Sequence, residues 1–218
     1  VLPAWRALAK PTSVGLERVY RVHYAGGTAP EAVAATLSRL PGVEYAEPHW
    51  VYPLAAIPND PSYGNQSQAL SRMRFPQGWD TTKGEQGPVV VAIVDGGTQW
   101  QHGDLVGNVW TNPGEIAANG LDDDGNGFAD DVHGWNFANG TGDPTGLPAT
   151  PQSAGHGTHV AGIACAVTNN ATGVAGASYN AKYMPICTSD PTTDLAIAFG
   201  YDGIVYAADN GADIVNCS

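Results

Sequence analysis

Positive charge is scarce in this 218-residue chain: nine Lys and Arg stand against twenty-one Asp and Glu, a formal charge of −12. That balance argues against nucleic acid or an anionic membrane as a partner and points instead to cations held by acid-rich loops. Cysteine is rarer still. Cys165, Cys187 and Cys217 lie far apart with no Cys-x-x-Cys spacing, which disfavours a structural zinc site or a dithiol redox motif. Each sits in an apolar run and reads as a buried free thiol acting as a small hydrophobe. No apolar stretch is long enough to cross a bilayer, and Val1-Leu-Pro-Ala-Trp5 does not resemble a secretory signal, so any such signal is expected to have been removed. What is abundant is apolar surface and punctuation. A hydrophobic content of 43% suffices for a real core, while twenty-eight glycines and sixteen prolines demand many tight turns. The length allows one large domain or two small ones.

The chain is organised around Ser153-Ala-Gly-His-Gly-Thr-His-Val-Ala-Gly162, where His156 and His159 stand among very small residues. Gly157, Ala161, Gly162 and Ala164 give poor intrinsic stability to a helix, so close packing by neighbours must sustain it, and a buried central helix is predicted. A histidine in its first turn is fixed by its surroundings, as a general base requires. Upstream, Pro88-Val-Val-Val-Ala-Ile-Val-Asp95 is an apolar run ending on a carboxylate and followed by Gly96-Gly97, the pattern of a buried parallel strand. Reactive groups gather beyond the carboxyl ends of such strands, so Asp95 and His156 can meet although distant in sequence.

Glu17 to Tyr24 reads as a strand, Glu31 to Leu40 as a helix opened by Pro30, and Val43 to Tyr52 as a second extended segment. Pro53 to Pro58 is a linker. A short helix and turn are expected over Gln66–Trp79. Asn180 to Cys187 is a predicted strand whose Pro185 suggests irregular pairing. Ile197 to Asn210 is a predicted helix with Ile197, Tyr201, Ile204 and Val205 on one apolar side and Gly211 at its end, and Ala212 to Ser218 a buried strand. Between Asp95 and His156, Leu121-Asp-Asp-Asp-Gly-Asn-Gly-Phe-Ala-Asp-Asp131 concentrates five carboxylates in a glycine-broken loop. Asp122, Asp124 and Asn126 alternate as in the first half of a calcium loop, with Phe128 where a carbonyl ligates and Asp130 and Asp131 close behind; the twelfth place holds His133 instead of Glu. The competing reading is a solvated acidic turn.

Val91-Ala-Ile-Val-Asp-Gly-Gly97, His102-Gly-Asp-Leu105 and His156-Gly-Thr-His-Val-Ala-Gly162, in that order, resemble the Asp and His segments of the subtilisin-like serine proteases, or subtilases. The His segment fits at every position. The Asp segment departs, with Gly96 where Ser or Thr is usual and Gly103 where Pro is usual. The resemblance implies an α/β fold, a subtilisin-like parallel sheet flanked by helices, of which residues 57–218 form the N-terminal part. Gly42-Val-Glu-Tyr-Ala-Glu-Pro48 is similar to the end of the inhibitory propeptides of the family, so residues 1–56 are expected to be a small α/β propeptide-like domain. The implied enzyme is a secreted serine endopeptidase acting on polypeptides, with its own propeptide as an intramolecular inhibitor. Asp95 would orient His156 and His156 would deprotonate a serine; the Gly-Thr-Ser-Met-Ala-like segment carrying that serine, and the oxyanion asparagine, are expected beyond Ser218. By itself the chain is therefore expected to be inactive. A thermitase-like resemblance further implies a structural calcium ion held by Asp60, Asp104, the Asn170 side chain and the Val167, Thr172 and Val174 carbonyls. Three other readings remain open: a non-catalytic calcium-binding or pseudoprotease module, which needs no serine; a zinc hydrolase using His156 and His159, which lacks the Glu of His-Glu-x-x-His; and a plain α/β domain with a satisfied core histidine, which explains His156 alone.

Overall fold

The computed structural model describes residues 2–3, 18–49, 57–84, 87, 89–146 and 153–218. The chain divides into two compact units, Val1–Tyr52 and Pro53–Ser218. The expected boundary after Ala56 lies outside the described residues.

In the first unit β1 (Leu2–Pro3) pairs antiparallel with β2 (Tyr20–Arg21), and α1 (Pro30–Leu37) follows, with Pro30 supplying a preset φ at its first position. The second extended segment is not a paired strand over Val43–His49; its remainder, like Glu17, lies outside the described residues.

The second unit opens with α2 (Tyr63–Arg72) and α3 (Phe75–Thr81), two helices where one and a turn were expected. Its centre is a four-stranded parallel sheet, in the order β4 (Trp135–Asn136), β5 (Lys182–Cys187), β3 (Val90–Asp95), β8 (Ile214–Cys217). Successive side chains of β3 serve opposite faces, as the two-residue strand period requires. Ile93 joins Ala161 and Cys165 of α4 (Ser153–Cys165) in one core, whereas Ala92 and Val94 join Tyr206 and Ala207 of α5 (Gly200–Asp209) in the other. Helices thus cover both faces. The chain leaves β3 through α4 to β5 on one side, then returns through α5 to β8 on the other, so Asp95 ends the strand at which the order reverses.

Several expectations need correction. Pro185 does not disturb the pairing of β5 with β3, which runs in register from Val90↔Lys182 to Asp95↔Cys187. Lys182 N and Thr188 N both donate to the β3 side, so odd-numbered residues of β5 turn their nitrogens the other way, towards the side where β4 begins only opposite Ile186. Ile197 is not helical: it closes β7 (Thr193–Ile197), which pairs antiparallel with β6 (Ser189–Asp190). Of the predicted apolar side of α5, Tyr201 and Val205 face outward, at 88% and 59% exposure, and Ile204 is half-buried. The helix lies on the sheet through Gly203, Tyr206 and Ala207 because close approach favours the smallest residues; a Cβ on Gly203 would come within 2.7 Å of Thr188 Cγ2. The helix α4 is buried on one side only, through Gly157, Ala161 and Cys165 at four-residue spacing, with Ile163 outward. On the outer edge, β8 is largely exposed, and Cys217 with it, while Cys165 and Cys187 are buried as expected; all three are free thiols. Desolvation pushes the Cys165 and Cys187 thiols up, keeping both in the unreactive protonated form.

Candidate active site and cation centres

Asp95 is delivered by the last residue of β3 and is 2% exposed. His156 is delivered by the first turn of α4, and its Nδ1 lies 2.9 Å from both Oδ1 and Oδ2 of Asp95. An ionised carboxylate only accepts hydrogen bonds, so Nδ1 carries the proton and Nε2 holds the basic lone pair. The His156 side chain is 58% exposed, so the arrangement joins a buried acid to a ring that faces outward. Oδ1 also accepts from the Gly96 amide at 2.6 Å.

The helix reaches the carboxylate because residue 157 has no side chain. A Cβ on Gly157 would collide with the Gly97 carbonyl oxygen and would stand 3.1 Å from both Cβ and Oδ1 of Asp95. Behind the acid, the chain leaving β5 grips the strand end: Thr188 N and Thr188 Oγ1 donate to the Asp95 carbonyl, and Ser189 Oγ to that of Gly96. The close packing expected of Gly157 is the approach to Asp95; Thr188 and Ser189 carried no local signal of their place beside it. Three residues beyond His156, His159 lies exposed on the same helix.

Of the first expected cation centre, Asp60, Asp104 and the Asn170 side chain meet at the 167–174 loop, and Val174 turns its N–H to Asp104. Asp60 and Asp104 are buried, at 4% and 3% exposure, and both address the 167–174 loop. Asp60 accepts from the Asn169 amide at 2.8 Å and the Asn170 amide at 3.3 Å; Asp104 accepts from Asn170 Nδ2 at 2.9 Å and the Val174 amide at 2.8 Å. Gly173, at φ 51°, adopts a left-handed turn in which a Cβ would collide with Asp104 Oδ2.

Most carboxylates of the acidic loop accept from backbone amides, Glu115 from those of Asp123 and Asp130 and Asp124 from that of Asn126. Asp122 caps the amides of Gly125, Asn126 and Gly127, and Asp130 those of Asn119 and Gly120. Asp124 and Asp131 converge with Glu115, their ligand atoms all within 4.8 Å of one another. Asn112 bridges Asp124 and Asp131, and Asn126 bonds both. Phe128 turns its ring into the aromatic core against Trp135, Phe137 and Tyr206. His133 lies against Trp100, with Nδ1 3.0 Å from the Trp110 carbonyl. Glu115 and Asn112 escaped the sequence reading, although Asn112-Pro-Gly-Glu115 is itself a turn signal a few residues upstream. Tyr206 OH donates to buried Asp131 at 2.6 Å; burial first, then that hydrogen bond, raises the phenol far above its ordinary value, so it remains a donor.

The subtilase family model matches residues 86–218. The thermophilic serine proteinase of Bacillus sp. (strain AK1) is 35% identical over 188 residues, covering 86% of this chain and 40% of that protein. Thermitase of Thermoactinomyces vulgaris is 35% identical over 162 residues, covering 74% and 47%, and the halolysin-like extracellular serine protease Nep of Natrialba magadii 36% over 182 residues, covering 81% and 28%. The chain therefore spans less than half the length of each of these three relatives. With the family match extending over more than half of the chain, and an acid and a histidine within hydrogen-bond distance at the end of its central parallel strand, this protein belongs to the subtilase family.

Proposed function

We propose that the chain supplies the acid and the general base of a subtilisin-type serine endopeptidase. The carrying observation is the hydrogen bond of His156 Nδ1 to the buried Asp95 carboxylate, which leaves Nε2 on the far side of an outward-facing ring. In the proposed reaction Nε2 takes the hydroxyl proton of a serine as its oxygen attacks the scissile carbonyl. The imidazolium so formed is stabilised by Asp95, and the proton is then given to the leaving amine. Among the described residues no serine hydroxyl is hydrogen-bonded to His156, so the nucleophile is assigned from the family. Asp95→Asn in the full protein should lower kcat by about 10⁴-fold while the fold persists, because an amide no longer enforces the Nδ1–H tautomer. Full turnover in that variant removes the assignment.

The donor sets suit calcium, a hard cation taking six to eight oxygens from carboxylates, amides and carbonyls. One ion would be held by Asp60, Asp104 and the Asn170 side chain, together with the Val167, Thr172 and Val174 carbonyls. The tight seat of Asp104 against Gly173 supports this centre. A second would be held by Glu115, Asp124 and Asp131, where a Cβ on Gly114 would stand 2.6 Å from Asp124 Cβ, so the turn that carries Glu115 is shaped around that aspartate. Of the loop's other candidates, Asp122 and Asp130 lie outside this group of three, and Asn126 donates to both Asp124 and Asp131. Bound calcium would supply charge neutralisation and cross-linking of loops. The Val1–Tyr52 unit would act as an inhibitory propeptide, and secretion accords with the name of the extracellular relative Nep.

A further inference from the structure

We infer that Thr188 is a positioning residue for the Asp95 carboxylate, acting through the peptide that joins Asp95 to Gly96. The inference rests on the proposed role of Asp95 and His156.

The Asp95 carbonyl and the Gly96 N–H belong to one planar unit, so fixing the oxygen fixes the direction of the N–H. That N–H is the donor 2.6 Å from Oδ1, and among the described residues it is the carboxylate's only hydrogen-bond partner besides His156. Position 96 carries no side chain to add another. On the opposite edge of the same peptide, Thr188 occupies the carbonyl twice, through its own amide at 2.8 Å and through Oγ1 at 3.1 Å. Accepting two hydrogen bonds at the oxygen also polarises the N–H, strengthening what it offers Oδ1.

Thr188 is well placed to hold this geometry. Its side chain is fully buried, its methyl lies against α5 beside Gly203, and branching at Cβ restricts χ1. Its carbonyl accepts from Ala198 N at 2.9 Å and Phe199 N at 3.2 Å, where α5 begins. The hydroxyl is therefore aimed by the β5 end and the α5 start together. Ser189, equally buried, donates to the Gly96 carbonyl at 3.1 Å, but that oxygen belongs to the next peptide, whose N–H is Gly97's.

The test uses the full protein, with Thr188→Val, which keeps shape and the backbone bond but removes the hydroxyl. Two readouts are followed: kcat on a peptide substrate, and the downfield proton resonance of His156 Nδ1–H. Losing one neutral hydrogen bond is expected to lower kcat by about 3- to 10-fold with KM unchanged. The Nδ1–H resonance should shift and broaden, Thr188→Ser should restore both readouts, and Ser189→Ala should move them less. If Thr188→Val does not fold, Thr188→Ala removes the same hydroxyl without introducing a second methyl at the carbonyl. Thr188 variants with unchanged kcat and an unchanged resonance, in a protein that Asp95→Asn inactivates, overturn this inference alone. Equal losses from Thr188→Val and Ser189→Ala also overturn it, since they would reflect general loosening of the strand end. Retained turnover in Asp95→Asn overturns the active-site assignment instead.

Discussion

Replacing Gly157 with Ala sets helix propensity against active-site geometry. In an exposed helix the change would stabilise by about 1 kcal/mol. Here the new methyl would collide with the Gly97 carbonyl oxygen and lie 3.1 Å from Asp95 Oδ1. Restoring ordinary contact distances needs a displacement of about 1 Å between α4 and the end of β3. Overpacking of this kind costs about 1–3 kcal/mol, so net stability should change by no more than about 2 kcal/mol, and the melting temperature by under about 10 °C. Activity should suffer far more. A 1 Å misplacement of a reacting group lowers the rate about 100-fold, equivalent to about 2.7 kcal/mol of barrier. The assay is kcat on a chromogenic peptide beside a calorimetric melting curve, with Gly162→Ala as the comparison. Gly162 lies on the same helix with nothing within 4 Å of an added Cβ, so that variant should melt slightly higher and keep its turnover. Wild-type kcat in Gly157→Ala would refute the claim that this glycine sets the distance between acid and base.

Chelation should lower the melting temperature of the full protein; at free calcium 100 times the dissociation constant, binding contributes about 2.7 kcal/mol. Asp104→Asn and Asp131→Asn should each remove part of that response and the double variant most of it, whereas melting that is indifferent to calcium would exclude both centres. Gly203→Ala should destabilise by about 1–3 kcal/mol, since its methyl meets Thr188 Cγ2 at 2.7 Å and Val94 Cγ1 at 2.9 Å; an unchanged denaturation midpoint would contradict the close seating of α5. N-terminal sequencing of active enzyme should find cleavage within Leu54–Pro58, and a mature protein that keeps the Val1–Tyr52 unit would contradict its role as a propeptide.

What the sequence made legible was whatever depends on period, termination and order. An apolar run stopping at Asp95 announced a buried strand, and a small-residue helix beginning near His156 announced a close approach, because both follow from local composition. The outward side of α5 was misread for a physical reason. Tyr201, Ile204 and Val205 form the larger apolar stripe, but a helix packing near a sheet is selected for how close it can come, and Gly203 and Ala207 come closer. The acidic loop shows the same limit. Alternation singled out Asp124 but not the carboxylates it lies among, because one of the acids within 4.8 Å of it, Glu115, comes from a preceding turn.

The absence of a hydroxyl at position 96 illustrates a further step. Read along the chain, Gly96 looks like a weakened Asp segment; read across the sheet, register places Cys187 beside Asp95 and so brings Thr188 onto the Asp95 carbonyl. Support for the acid comes from the neighbouring strand, through a backbone peptide, at a sequence distance no local motif spans. Substituting Gly96→Ser therefore tests how the two arrangements combine. If the Thr188 hydroxyl already orients the Gly96 N–H, an added serine hydroxyl should raise kcat by less than about 3-fold in the parent, yet recover most of the loss in Thr188→Val. Equal gains in the two backgrounds would mean that the two hydroxyls act independently, and that the path through the Asp95–Gly96 peptide carries none of the support.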